Sequence, residues 1–578
     1  MAGRIYPKQI KGNTYYYYQE SYRRKIEPTA YGKHRGSGKS QVHTKSIYLG
    51  EAETILSWKQ STQGPLSVEY RAFGFLAAAY QTAIEFGMAE ALATHIKGKR
   101  YGMDRWIFFF LTVLNRLECA TSKNKMGQWA AKTILPDLLG IDVGKLSGKN
   151  FWYVTDDVIS EKELLKKRKK DGGNENDLFC GMNDEVFNKI EEDIFQRLKP
   201  LMAEPGRSAV YDTTNFFTFF ESPQASELAR TGHNKQSRHH LRQVGLAMAV
   251  DRGLGIPFFH RIYRGNSQDA NTFNLIVGDL VKAVQTSFNN VEELVLVLDK
   301  GNNKKETFDF LDGKIEWVGS LVPSQHEDLL KVPLEQYQTG CGKLKTLRRK
   351  KEVMGRESLL IMTYNEKLFR KQEHTLRKGI EKLKKSLRVK YDSYKKVPSS
   401  ETAGLKTLRQ KSRYKNFVKV TVNESGLSME IDETQITERK KRLGKNLIFT
   451  SKTEAETAWV ISQYKEKEVI EDAFKTMKDP ELIRIRPLRH WTDTKIRAYI
   501  FCCVMGYVLL RLMQQKACQA GIEMSAKVLK EELSDLKEVI MVYEGGKAER
   551  KITVKSSVQE KLYKLFDLEK IEKMVTLH

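Results

Sequence analysis

Residues 209–217 read AVYDTTNFF: an apolar run carried into an acid, Asp212, and then into hydroxyls and aromatics. Such residues suit a pleated, half-buried surface, and the run predicts a strand that closes on its carboxylate. Working outward, QVGLAMAVD (243–251) and IPFFHRIYRG (256–265) predict a second and a third strand. DANTFNLIVGDLVKAV, from 269, has apolar residues at helical spacing. ELVLVLDKG (293–301) is a continuous apolar strand that ends, like the first, in an acid, Asp299, and EWVGSLV (316–322) is another.

Three antiparallel-type strands, a helix and a buried strand follow the order expected of a ribonuclease H-like mixed α/β sheet. Periodicity alone does not separate that fold from other α/β sheets. Around this block the chain divides by composition. Residues 1–60 are a β-rich region with a Gly12-Asn13 turn, and their tyrosines and basic residues suit either DNA contact or a half-buried ribbon. Residues 61–200 are helical, with segments such as FGFLAAAYQTAIEFGMAEAL and an exposed charged run at 162–177. Residues 201–322 are expected to form the first part of the ribonuclease H-like core, and 323–455 an inserted domain of basic helices plus strands, including KLKTLRRKKE and RKGIEKLKKSLRVKYDSYKK. Residues 456–515 complete the core, and 516–578 form a small α/β tail.

The 578 residues exceed what one core usually serves, and 40% hydrophobic content is enough to bury several. Lysine and arginine number 98 against 72 acids, a net charge of +26, which points to a polyanionic partner such as nucleic acid. Six scattered cysteines without a CxxC pair suggest neither a disulfide framework nor a zinc site. The N-terminus lacks the apolar segment of a signal peptide, and YIFCCVMGYVLL (499–510) is shorter than a bilayer span. The expectation is a cytoplasmic protein without a membrane partner.

A third acid lies in YKEKEVIEDAFKTMK, read as one helix. Tyr464, Lys467, Glu471 and Lys478 fall at i, i+3, i+7 and i+14, on one stripe at 3.6 residues per turn. A hydroxyl, two cations and a carboxylate on one face suit a phosphodiester with the acid on a metal. An ordinary exposed helix with Glu–Lys pairs accounts for the same spacing. TGHNKQSRHHLR carries His233, His239 and His240 at no usual zinc spacing, so Lys235 and Arg238 there are read as DNA contacts or as plain loop. Lys304, after the second aspartate, is a candidate phosphate contact. Trp491 is read as a core residue ahead of a base-stacking one.

These residues resemble the insertion-sequence DDE transposases, whose signature is Tyr-x2-Arg-x3-Glu-x6-Lys. Tyr464, Lys467, Glu471 and Lys478 match its spacing, with Lys467 in place of the arginine. The lysine keeps the charge and loses the planar fork. YDTTNFF resembles the family's first-aspartate strand, VLDKGNNKKET its second-aspartate loop, and RGNSQDANTF its Gly-Asn-x-x-Asp-x-x-Thr turn. RPLRHWTDTKIRAYIFCCVMGYVLL resembles the closing helix pair, and NRLECATSK (115–123) is also similar.

The resemblance implies a ribonuclease H-like core interrupted between the second aspartate and the glutamate. The spacing leaves room for it: about 90 residues separate Asp212 from Asp299, and about 170 separate Asp299 from Glu471. It further implies catalysis by Asp212, Asp299 and Glu471 holding two Mg2+ ions, for which Mn2+ can substitute. The partners implied are double-stranded DNA, as terminal inverted repeats and target, and a second copy of the chain in a synaptic homodimer. The setting implied is a prokaryotic, nucleoid-associated one. Two other readings remain: a non-catalytic nucleic-acid-binding relic, and a structure-specific nuclease on the same sheet.

Overall fold

The computed structural model describes residues 3–10, 13–25, 40–52, 64–158, 185–202, 208–219, 226–234, 236–288, 294–342, 344–394, 401–423, 425–543 and 547–576. The charged run at 162–177, Gly12 and Lys235 lie outside them. Two compact units emerge: Met1–Ser160, Met477–Ile485 and Ala498–His578 in the first, Glu161–Thr476 and Arg486–Arg497 in the second.

In the first unit, β1 (Arg4–Ile10), β2 (Asn13–Lys25) and β3 (Ser40–Glu51) form an antiparallel sheet in which Ile10 pairs with Asn13. Tyr6, Tyr17 and Tyr48 stand opposite one another across it, with ring centroids 5.8 Å and 5.2 Å apart, a cross-strand ladder that supports a thin sheet. β4 (Ser67–Ala72) pairs with β19 (Lys537–Val542), which pairs with β20 (Ala548–Ile552). The C-terminal segment therefore shares a sheet with residues 67–72, a pairing that no local pattern announces. β5 (Lys99–Arg100) and β6 (Met103–Asp104) are a short hairpin ahead of the helix Arg105–Glu118.

Within NRLECATSK, Asn115 is fully buried and receives Thr121 N at 3.1 Å and Arg116 Nη2 at 2.6 Å, so this segment is a buried turn clamp. The helix Asp493–Gln519 is longer than its apolar letters suggest. It is long and apolar enough to cross a membrane, yet 94% of its most apolar window is buried inside the protein. Burial in it pushes the Cys502 and Cys503 thiols up to about 12, as core residues.

The second unit is built on one mixed sheet. Its strands are β7 (Ser208–Phe217), β8 (Arg230–Thr231), β9 (Arg242–Asp251), β10 (Pro257–Arg264), β11 (Val295–Leu298) and β12 (Glu316–Ser320), then β13 (Gln338–Cys341), β14 (Leu344–Val353), β15 (Arg356–Tyr364) and β18 (Lys445–Thr450). The order is β10-β9-β7-β11-β12-β18-β15-β14-β13, with β8 beside β9. β7 and β12 run parallel to β11, and the other neighbours are antiparallel. Parallel neighbours need crossovers, here the helices Asp269–Ser287 and Lys305–Leu311. All four residues of β11 are buried, as its unbroken apolar run requires of a strand covered on both faces.

The segment 323–455 differs from a separate insertion. β13, β14, β15 and β18 extend the same sheet beyond β12. From Leu344 on, KLKTLRRKKE, grouped by composition with the basic helices, lies in β14. Its backbone is satisfied by β13 and β15, and Arg348 is tied to the carbonyls of Ala455 and Thr453 at 2.7 and 3.0 Å. Ladder bonds, not charge, decide its conformation. The remainder is the helices Glu366–Asp392, Ala403–Gln410 and Glu433–Lys440 with the hairpin β16 (Val418–Asn423)–β17 (Gly426–Ile431), around a core of their own.

Candidate active site

Strand register decides where the acids point. Across the parallel pair β7–β11, Tyr211 stands opposite Leu298. The Tyr211 ring packs on Phe273 of the helix Asp269–Ser287 at 4.5 Å. Because successive side chains alternate between faces, Asp212 and Asp299, each the next residue, sit side by side on the opposite face. That face carries Val295, Val318, Leu359, Ile361 and Ile448 beneath Val460 and Ile461, with Trp459 and Tyr464 against them. The two acids therefore share a face with the segment that leads to Glu471.

That segment is not one helix. Helix runs over Thr457–Lys465, two residues turn, and helix resumes over Glu468–Lys478. Between Tyr464 and Val469 the sequence offers Lys465, Glu466, Lys467 and Glu468, with no apolar side chain to seat that turn on the sheet. Glu466 instead pairs with Arg252, at the turn after β9. The four-residue stripe expected on one helix is thus divided between two.

The break places Lys467 among the acids. Its ammonium lies 3.0 Å from Asp299 Oδ1 and 3.8 Å from Glu471 Oε1. Burial works against its charge, but Asp299 and Asp212 outweigh burial and raise its pKa above the usual lysine value. Lys467 is therefore a fixed cation here. Asp299 is mostly buried and Glu471 half-exposed, with side-chain exposures of 19% and 51%. Asp212 Oδ1 receives the Thr213 N–H at 2.8 Å.

Tyr464 donates its hydroxyl to Ser320 Oγ at 2.8 Å. Burial and the charges of Asp299 and Asp212 raise its pKa, against the opposing Ser320 bond, so it stays a neutral phenol. Ser320 carries no sequence signal of its own; it follows from Val318 two residues earlier on the same face. Lys478 closes the helix seven residues beyond Glu471.

Among the described residues, no three His, Cys, Asp or Glu side chains are grouped to hold a metal ion. The acids do hold a cation, the lysine ammonium. Their donor chemistry is carboxylate oxygen without histidine or cysteine, the set that magnesium prefers. Asp212 and Asp299 offer that donor chemistry from one face of the sheet, whereas Glu471 is joined to Asp299 through Lys467.

The other candidates are distributed around this point. The Arg238 guanidinium lies over the Phe217 ring at 5.8 Å, and its backbone N–H reaches Asn234 Oδ1 at 2.8 Å. His233 and His239 stack at 5.3 Å. Lys304 directly precedes the helix Lys305–Leu311, half-exposed. Trp491, read as core, is 46% exposed. Two residues that sequence reasoning passed over shape the loop before β9. Buried Asp493 receives Ser226 Oγ at 2.5 Å and the backbone N–H groups of Glu227 and Leu228 at 3.2 Å. Gln243 Nε2 donates to the carbonyls of His233 and Gly265 at 3.0 and 2.7 Å.

No family model matches the chain, and no curated protein matches it. Among solved structures it is similar, with a TM-score of 0.37 and 10% identity over 80% of this chain and 76% of that one, to a piggyBac transposase synaptic complex with hairpin DNA determined by cryo-EM, a likeness too loose to assign a family.

Proposed function

We propose that the chain is a DNA transposase of the DDE type that cleaves the ends of a mobile element and joins them to target DNA. The observation that carries the reading is the register of β7 and β11, which sets Asp212 beside Asp299 on the face where Lys467 and Glu471 arrive. The strand order β10-β9-β7-β11-β12, with two antiparallel pairs before two parallel ones, supports a ribonuclease H-like core. The net charge of +26 supports a DNA partner.

On this reading Asp212, Asp299 and Glu471 hold divalent metal, Mg2+ or Mn2+. Bound there, the metal would supply charge relief at a phosphodiester and a more acidic water. Lys467, held as a cation by Asp299, is positioned to neutralise a phosphate oxygen that approaches the acids. Neutral Tyr464 fixes its helix against β12 through Ser320. Arg238 and Lys304 stand near the ends of β7 and β11 as further phosphate contacts, and Lys235 belongs to the same loop sequence as Arg238. The products are a 3′-hydroxyl at the element's end and, after that hydroxyl attacks a target phosphodiester and displaces the target strand's own 3′-hydroxyl, a joined strand. A synaptic homodimer and nucleoid-associated cytoplasmic action belong to this proposal.

The test is to incubate the full-length chain and Mg2+ with duplexes cut from the inverted repeats flanking its gene, with a plasmid as target. Nicks leaving 3′-hydroxyls, followed by joining, are expected. Nicking without joining of pre-cut ends would move the assignment to a nuclease. Binding without nicking would move it to the relic.

Lys467 gives a separate prediction. Its ammonium repels any divalent cation at Asp299, so Lys467→Met is expected to tighten Mn2+ binding by roughly tenfold, read by electron paramagnetic resonance of free Mn2+, while end cleavage falls. Unchanged Mn2+ affinity would show that Lys467 and the metal do not share Asp299.

A further inference from the structure

The helix Glu366–Asp392 is 27 residues long, or about 40 Å at 1.5 Å per residue. It buries Leu376, Ile380, Leu383, Leu387 and Tyr391 against Leu405, Val418, Ile436 and Leu443. Diametrically opposite this face, Lys367, Lys371, Lys378, Lys382 and Lys385 are all exposed. Their spacings keep them on one stripe within about 60° of the helix circumference, with only His374 between them on that line.

The stripe differs from the neighbouring flank of the same helix. There the cations are neutralised within the helix: Arg370 by Glu366 at 3.0 Å, Arg377 by Glu373 at 3.5 Å, Lys384 by Glu381 at 3.7 Å and Arg388 by Asp392 at 3.4 Å. Among the described residues the five stripe lysines form no ion pair. Lys367 with Lys371, Lys378 with Lys382, and Lys382 with Lys385 are like charges one turn apart, which destabilises an isolated helix. A helix placed only to be solvated gains nothing from that arrangement. A polyanion lying along it turns the repulsion into attraction.

We propose that this lysine stripe is a docking surface for the phosphate backbone of duplex DNA, taken without regard to sequence. From Lys367 to Lys385 it runs about 27 Å, the length of roughly eight base pairs of B-form DNA. It carries lysine point charges and a single ring, His374, without arginine forks to read base edges or the row of aromatics on which successive unpaired bases would stack, so the backbone of a duplex is what it fits. The inference rests on the reading of DNA as the partner and assigns a task to the helical part of 323–455, remote in sequence from the acids.

The test uses the full-length chain and a variant with Lys371→Gln, Lys378→Gln, Lys382→Gln and Lys385→Gln, which removes repulsion and should fold at least as stably. Affinity for a random-sequence duplex of about 30 base pairs is measured against NaCl concentration. Each lost phosphate contact reduces the slope of log K against log salt by about 0.9, so a fall of about 2 to 4 in slope is expected, with affinity down at least about tenfold at low salt. The same four positions changed to arginine should keep the wild-type slope. Wild-type slope and affinity in the glutamine variant would overturn the docking surface and leave the transposase reading standing. Failure of the wild type to bind duplex at all would overturn both. A preference of the stripe for single strands or an acidic peptide, seen as loss of only that binding in the variant, would overturn duplex DNA as its occupant.

Discussion

Asp212→Asn and Asp299→Asn, each in the full-length chain, are expected to lower end cleavage by at least about a thousandfold, because losing a metal ligand removes several kcal/mol of charge stabilisation at the phosphate. DNA affinity should hold or rise slightly, since each change removes a negative charge from a surface that must face phosphates. Both substitutions are close to isosteric. In Asp212→Asn the new amide oxygen can still receive the Thr213 N–H that Asp212 Oδ1 receives at 2.8 Å. In Asp299→Asn the Lys467 ammonium keeps Glu471 at 3.8 Å, so the site loses charge without losing its fold. Glu471→Gln should act in the same direction on cleavage. Its half-exposed side chain makes it the cleanest of the three for separating chemistry from stability. The paired readout decides between readings. A nucleic-acid-binding relic shows no cleavage to lose in the wild type, and an Asp212→Asn variant that cuts at the wild-type rate would remove these acids from the reaction.

The part of this site legible in the sequence was the part set by local pattern. AVYDTTNFF and ELVLVLDKG announce strands because apolar runs of that length end in acids, and the structure forms β7 and β11 there. That the two acids share a face is not local. It depends on Tyr211 standing opposite Leu298, and a one-residue slip would have sent one acid to the Phe273 side. The helix carrying Glu471 was legible, and its break at Glu466–Lys467 was not. Spacing alone treats 464–478 as a continuous cylinder, whereas a gap in apolar contacts lets the chain turn and inserts Lys467 between the acids. KLKTLRRKKE misleads for a related reason: composition records charge, while the strand is chosen by partners on either side.

The first unit offers the largest effect on stability. Arg71→Met is expected to cost about 3–5 kcal/mol, the usual consequence of breaking a buried ion pair from one side. Arg71 and Glu538 face each other directly across β4 and β19, 9% and 2% exposed. The guanidinium spans Glu538 at 3.3 Å, Asp137 at 2.7 Å and the Thr133 carbonyl at 2.9 and 2.7 Å. Without it Glu538 keeps, among the described residues, Arg550 alone, at 3.7 Å. Burial already holds the Glu538 carboxyl above its ordinary range against the pull of both arginines, and removing one raises it further. A carboxyl whose folded pKa lies above its unfolded one loses stability as pH rises through that range. The deficit of Arg71→Met should therefore be widest at neutral pH and shrink on acidification towards the ordinary glutamate range, in urea titrations followed at several pH values. Adding Glu538→Leu should restore most of the loss, because an apolar pair of similar volume leaves no charge to desolvate. A deficit below about 1 kcal/mol, or one that does not change with pH, would mean that water reaches this network and that the β4–β19 pairing stands on its ladder bonds alone.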